Sequence, residues 1–185
     1  MKNFQQLAAG LNVTPLLSAL QRQPELWNAH PIRTKHPGTA HAEVSDILCR
    51  FNDIAEYERT GDPTTITDDK ECIAYPAWEK LPQLRPIVFD LMRTVEATRL
   101  GRVIITKLPP GKTITPHVDG GAPATYFERY MVALQCLPGA VFYIGDESVT
   151  FRAGDVWHIN NKVEHWVQNH SADDRLVLII DCRCD

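Results

Sequence analysis

Two textures of hydrophobic spacing divide the chain near Gly101. Before it, apolar residues recur three and four apart, the interval of a helix face. Leu16, Leu17 and Leu20 form one stripe behind Thr14, a good N-cap, and Pro15, suited to the first helical position. They predict a helix from about Thr14 to Gln23. Leu84, Ile87 or Val88, Leu91, Met92 and Val95 form a longer stripe, which predicts a helix from Pro82 to Thr98 with Gly101 following its end. Between the two, from Trp27 to Thr65, Pro31, Pro37, Gly38, Gly61 and Pro63 interrupt every pattern. A loop is expected there, with one short strand inside Ala42 to Phe51. This stretch also carries His30, Arg33, Lys35, His36, His41 and Arg50, as a solvated surface loop or as a substrate-facing lip.

After Gly101 the spacing changes to short β-rich runs. They span Arg102 to Leu108, Thr113 to Asp119, Arg129 to Leu137, Ala140 to Ile144, Ser148 to Phe151, Asp155 to Ile159, His165 to Asn169 and Leu176 to Asp181. Turn residues separate them, among them Pro109-Pro110-Gly111, Gly120-Gly121, Pro138-Gly139 and Asn160-Asn161. About eight closely spaced strands argue for a sandwich or barrel. With helices in front and strands behind, the fold class is α+β.

At 185 residues the chain is expected to be a single domain, 1–185: a helical and loop region to about 100, then a β core over 101–185 that carries the candidate site. With 44% apolar and 23% charged residues, disorder is excluded. A net charge of -4 without any basic block argues against a nucleic-acid or anionic-membrane partner. No apolar run reaches the roughly 18 residues that a membrane span needs. Gln5, Gln6, Asn12, Thr14 and Pro15 interrupt the N-terminus too often for a signal peptide. Cys49, Cys72, Cys136, Cys182 and Cys184 lack framework spacing and read as free thiols of a reducing, cytoplasmic compartment.

The candidate chemistry lies in Thr115-Pro116-His117-Val118-Asp119. Residues two apart on an extended segment point to the same side, so His117 and Asp119 make two corners of a metal site. His165, in Glu164-His165-Trp166-Val167, is the candidate third. Two histidines and one carboxylate on one face of a metal leave the other face open, the triad of non-haem Fe(II) oxygenases. His158 and His170 are rival third ligands, ranked lower for their distance from Arg175 and for a polar turn, respectively. Arg175 opens the last strand about ten residues after His165, where it points into the same barrel and its planar fork suits a carboxylate. A metal with open positions beside a carboxylate anchor fits 2-oxoglutarate. The plainer alternatives are a strand histidine without metal at 165 and a surface pairing of Arg175 with Asp173 or Asp174. Phe151, Trp157 and Trp166 read as strand core before pocket wall.

From about Pro82 onward the chain resembles the aspartyl/asparaginyl β-hydroxylase family of Fe(II)/2-oxoglutarate-dependent oxygenases. The resemblance rests on Lys107-Leu108-Pro109-Pro110-Gly111, Pro116-His117-Val118-Asp119, Glu128-Arg129-Tyr130, Phe151-Arg152-Ala153-Gly154-Asp155-Val156-Trp157, Glu164-His165-Trp166-Val167-Gln168-Asn169 and the run from Asp174 to Asp181. It implies a double-stranded β-helix, a cupin-like jelly-roll core, with N-terminal helices packed on it. It further implies Fe(II) at His117, Asp119 and His165, and Arg175 on the distal carboxylate of 2-oxoglutarate with Thr106 as a hydroxyl partner. Arg129 matches a family arginine near the metal-bound end of the cosubstrate, and Met131 stands where some members carry a second histidine. The implied activity is hydroxylation of an amino-acid side chain, free or in a peptide or protein. Two other readings remain: a cupin-like small-molecule-binding protein with a non-redox metal, and a Zn or Mn enzyme of hydrolysis or isomerisation. The first 80 residues carry none of these motifs and are expected to shape substrate choice.

Overall fold

The computed structural model describes residues 2–66 and 69–184. The chain runs β1 (Phe4–Ala8), α1 (Thr14–Gln21), α2 (Ile32–Lys35), β2 (Ser45–Phe51), α3 (Ala55–Thr60), β3 (Ile73–Ala74), α4 (Pro76–Lys80), α5 (Leu84–Thr94) and β4 (Ala97–Leu108). It continues β5 (Thr113–His117), α6 (Gly121–Tyr126), β6 (Glu128–Gln135), β7 (Ala140–Ile144), β8 (Glu147–Val149), β9 (Val156–Ile159), β10 (His165–Asn169) and β11 (Arg175–Cys184). The strands form a seven-stranded sheet, ordered β1-β9-β6-β11-β4-β2-β3, and a four-stranded sheet, ordered β5-β10-β7-β8. All pairings are antiparallel. Two such sheets enclosing one interior make the jelly-roll core, with the helices outside it, and the α+β class holds.

The central strands are apolar on both faces because both are covered. On β11, Leu178 and Ile180 pack with Leu84, Val88 and Leu91 of α5 and Leu16 and Leu20 of α1. Val177 and Ile179 turn the other way, toward Phe142, Ile144 and Val167 of the small sheet. Period-two alternation puts Arg175 on that inner face as well. Each helix side chain buried in this way contributes on the order of 2 kcal/mol.

Several elements differ from the sequence reading. The helix expected over Pro82 to Thr98 ends at Thr94, Glu96 turns the chain with φ 54, and β4 starts at Ala97. There Ala97 and Arg99 pair with Cys184 and Arg183, so strand pairing overrides the helical spacing of Val95 and beyond. Gly101 is consequently not a helix stop but a close-approach residue within β4: a Cβ there would lie 2.9 Å from the Phe127 ring. Gln5 and Gln6, which are exposed, hide the first strand, in which Phe4 is buried and Leu7 half-buried. Helix α6 replaces a simple turn after Gly120, and α2 and α3 add short helical turns to the expected loop. Asp119 lies two residues past the end of β5, so a turn and not a strand orients it.

The N-terminal segment is locked down at Gly154, whose carbonyl accepts from the Leu11 N–H at 3.0 Å. Gly154 has φ +86, and a Cβ would stand 2.7 Å from the Leu11 carbonyl oxygen. Gly154→Ala is therefore expected to lower the unfolding free energy by about 2 kcal/mol or more, through strain and displacement of that segment. Urea denaturation checks this; a loss below about 0.5 kcal/mol would mean that the segment gives way freely.

Candidate metal centre

Strands β5 and β10 pair so that His117 stands directly opposite His165. One histidine ends its strand and the other begins its strand, and their rings lie 4.3 Å apart at the mouth of the barrel. Each Nδ1 faces a backbone carbonyl two residues earlier: Thr115 at 2.8 Å for His117 and Val163 at 2.9 Å for His165. A carbonyl only accepts, so each Nδ1 carries a proton, which leaves Nε2 as the nitrogen of each ring that can take a metal. Burial pulls the His165 ring below its ordinary pKa, against the raising effects of Asp119 and the Val163 carbonyl. Asp119 completes the cluster. Its Oδ1 lies 3.7 Å from His117 Nε2, and the donor atoms of the three residues all lie within 4.8 Å of one another.

The other carboxylate oxygen of Asp119 is occupied. Oδ2 accepts from Asn161 Nδ2 at 2.9 Å and from Arg129 Nη1, and the Asp119 N–H donates to the Asn161 carbonyl at 3.2 Å. Arg129 in turn grips Asp181 with Nε at 2.8 Å and Nη2 at 2.9 Å. Burial pushes the Asp119 carboxyl upward, but Arg129, His165 and the Asn161 amide outweigh it and hold the group well below the usual carboxylate range. Burial works against the Arg129 charge, and Asp119 and Asp181 more than restore it. Asp119 is thus an anion with one oxygen tied and the other turned toward two imidazole lone pairs.

Behind this cluster runs a narrow cavity whose lining includes His117, His165, Arg129, Thr106, Arg175 and Arg33. Arg175 is 3% exposed, lies 5.6 Å over each of the Phe142 and Phe151 rings, and has an Nη2 with no hydrogen-bond partner. Burial lowers its pKa, and no carboxylate among the described residues forms an ion pair with it. A buried cation without a counter-charge costs several kcal/mol, which an entering carboxylate would offset. Thr106 lies on the same wall, with its hydroxyl donating to Asp46 at 2.7 Å, and Arg33 Nη1 donates to Asp46 at 2.7 Å. His41 meets His117 edge-on at 4.9 Å, and burial, aided by Arg33 and His117, lowers it to about 2, so it is neutral.

All six residues singled out in the sequence therefore converge on one space. Of the rivals, His158 is bonded to Glu128 and His170 is exposed in its turn. Asp173 and Asp174 make no ion pair with Arg175 among the described residues. Cys184 meets Tyr130 at 3.3 Å and Cys182 is buried on the helix side, so the terminal thiols are strand tail. Asn161, Asp181 and Asp46 were not anticipated. Asn161 was visible only as a turn residue and Asp181 only as a strand end; their roles arise from contacts 42 and 52 residues away in sequence.

The donor set suits a divalent metal of the Fe(II) type: two imidazoles and one carboxylate, each fixed from behind. Residues 69–184 match the family model described as aspartyl/asparaginyl beta-hydroxylase. No curated protein matches the chain in sequence. Among solved structures, an oxidoreductase of the 2OG-Fe(II) oxygenase family from Burkholderia pseudomallei superposes with a TM-score of 0.59 at 12% identity, covering 98% of this chain and 84% of that one. The viral collagen prolyl hydroxylase of Paramecium bursaria Chlorella virus-1, in its 2OG complex, gives 0.58 at 8% identity, covering 99% and 96%. A Pseudomonas putida prolyl-4-hydroxylase gives 0.53 at 15% identity, covering 99% and 93%. At these identities the likeness is one of fold.

Because Asp181 grips the same guanidinium that holds Asp119, Asp181→Asn is expected to weaken Fe(II) binding by about 10- to 100-fold, the usual cost of losing an outer partner of a ligand. Anaerobic Fe(II) titration measures it, and an unchanged affinity would show that Asn161 alone suffices.

Proposed function

This chain belongs to the aspartyl/asparaginyl beta-hydroxylase family, and from that premise we propose that it hydroxylates an amino-acid side chain, free or within a peptide or protein. It is a 2-oxoglutarate-dependent hydroxylase, with Fe(II) as its metal and 2-oxoglutarate as its cosubstrate. In this reading His117, Asp119 and His165 hold the metal, and Arg175 holds the distal carboxylate of the cosubstrate. The observation that carries it is the buried Arg175 Nη2, which lacks any partner and faces the cavity that the two histidines line. Residues 1–185 are read as one domain, since α1 and α5 share an apolar cluster with the back of the long sheet.

When bound, Fe(II) and 2-oxoglutarate would let O2 serve as the oxidant, one of its oxygen atoms ending in succinate as 2-oxoglutarate loses CO2 and the other in the hydroxyl placed on an unactivated C–H bond. The protein's own part is placement. The Thr115 and Val163 carbonyls hold the imidazoles with Nε2 toward the metal position. Arg129 and Asn161 keep Asp119 ionised and present one oxygen inward. Three of the Arg129 N–H groups are engaged with the two carboxylates, and those remaining would be available to the metal-bound end of the cosubstrate. Thr106, whose hydroxyl donates to Asp46, would be the hydroxyl partner of the distal carboxylate. Phe142, Met131, Val177 and Ile179 wall the cavity with apolar surface, which excludes water from the reacting centre. No side chain is required to act as a general acid or base.

Anaerobic addition of Fe(II) and 2-oxoglutarate should produce a weak visible charge-transfer band, and air should then yield succinate. His117→Ala or Asp119→Ala is expected to abolish succinate formation. Arg175→Gln is expected to raise the 2-oxoglutarate requirement by about tenfold or more, as loss of a bidentate ion pair implies. Undiminished turnover by the His117 variant would sink the assignment, and a binding protein with a non-redox metal would never form succinate.

A further inference from the structure

Two of the three candidate ligands are held from a single turn, residues 160–163. Asn161 Nδ2 donates to Asp119 Oδ2 at 2.9 Å, and the Val163 carbonyl accepts from His165 Nδ1 at 2.9 Å. Asn160 ties the turn together. Its carbonyl accepts from the Val163 N–H at 3.4 Å, and its Oδ1 accepts from the Lys162 N–H at 3.3 Å. Whatever fixes Asn160 therefore bears on Asp119 and His165 together.

A segment 157 residues away fixes it. The Asn160 N–H donates to the Asn3 carbonyl at 2.9 Å, and Asn160 Nδ2 donates to Asn3 Oδ1 at 3.1 Å. Asn3 is anchored in turn. The N–H groups of Lys2 and Asn3 donate to Oε1 and Oε2 of Glu147, on β8 of the small sheet, at 2.7 and 2.8 Å. Next to it, Phe4 is buried, meets the Phe142 ring edge-on at 5.5 Å and pairs with Ile159 of β9 in the long sheet. Residues 2–4 thus reach from one sheet to the other beside the turn, and they lie outside the family match at 69–184. The chemistry of the side-chain bond is fixed as well. Asn160 Oδ1 is taken by Lys162, so Nδ2 is the atom left for Asn3, which has to present an acceptor.

We propose that Asn3 is a positioning residue for the metal centre, acting through Asn160 on the turn that aims Asp119 and His165. It reaches no ligand atom itself. This inference rests on the metal assignment above and extends the support of that site to a part of the chain that carries none of its motifs.

The test uses the full chain without metal. Fe(II) alone is titrated in anaerobically, and Co(II) alone is added separately, its visible bands reporting coordination geometry. Losing a direct outer partner of a ligand weakens metal binding about 10- to 100-fold, so Asn3→Ala, one layer further out, should weaken Fe(II) binding by about 3- to 10-fold. It should also shift the Co(II) bands. Asn3→Asp keeps the acceptor and should bind Fe(II) within about twofold of wild type. Gln6→Ala removes a bond to Asp155 from the same strand, away from the turn, and should leave Fe(II) affinity within about twofold as well. Asn160→Ala should weaken Fe(II) binding at least as much as Asn3→Ala, and combining the two should add no more than about twofold, because the residues act in series. Urea denaturation shows which variants are folded. Should Asn3→Ala not be, Asn3→Ser, too short to reach Asn160, takes its place. Unchanged Fe(II) affinity or unaltered Co(II) bands in Asn3→Ala, an equal loss in Gln6→Ala, no recovery in Asn3→Asp, or the full loss repeated on top of Asn160→Ala would each overturn the inference. Failure of the metal assignment looks different: His117→Ala would then take up Fe(II) as tightly as the wild-type chain.

Discussion

An ionised carboxylate inside an apolar barrel has to be kept charged and kept aimed, and here one guanidinium does both. Arg129 joins Asp119, on the turn after β5, to Asp181, near the end of β11. The two anions hold Arg129 on the inner face of β6, and Arg129 leaves one oxygen of Asp119 pointing at two imidazoles. Removing Arg129 would leave two buried carboxylates unmatched, which costs far more than an exposed ion pair contributes. The geometry of the candidate metal centre follows from this tie and from the register that sets His117 opposite His165.

Two other interior cations are arranged on a different principle. Arg129 pairs with two carboxylates, whereas Arg175 has no ion pair among the described residues and Arg102 bonds an amide oxygen with Asp181 acting on it from further off. A folded chain tolerates a cation such as Arg175 at a cost, and its usual place is a site that an anion completes. The two lie at successive depths, Arg175 in the narrow cavity and Arg102 in a wider hollow outside it, with Arg33 at the wall between. A rigid strand carries the deep one, while loops and short helices from positions 32–66 build most of the outer wall. That division matches a general one, in which a scaffold fixes the chemistry and the connections choose what enters.

Much of this was legible in the sequence. The helix behind Thr14, the stripe from Leu84 to Leu91, and the strands at 140–144 and 165–169 stand where their spacing placed them, because burial on one face is a local, periodic signal. Where prediction and structure part, a distant partner is responsible. The β4 strand absorbs residues 97–101 because β11 pairs with them, and β1 forms because β9 offers it an edge. Gly101 reads as punctuation in the sequence and serves as clearance for the Phe127 ring in space.

The same line runs through the site. The sequence by itself determined the chemistry available: which imidazoles, which carboxylate and which guanidiniums, in an order and spacing that allowed a metal beside a carboxylate anchor. Only the tertiary structure decided which oxygen of Asp119 is free, that Asp181 and Asn161 hold it, and that the Thr106 hydroxyl turns to Asp46. It alone placed Arg33 and Arg102 around one hollow. The physical reason is that residue type fixes what a group can donate, accept or ligate. Which groups meet, and which charges remain uncompensated, depends on contacts between segments dozens of residues apart, and those exist only once the two sheets have closed.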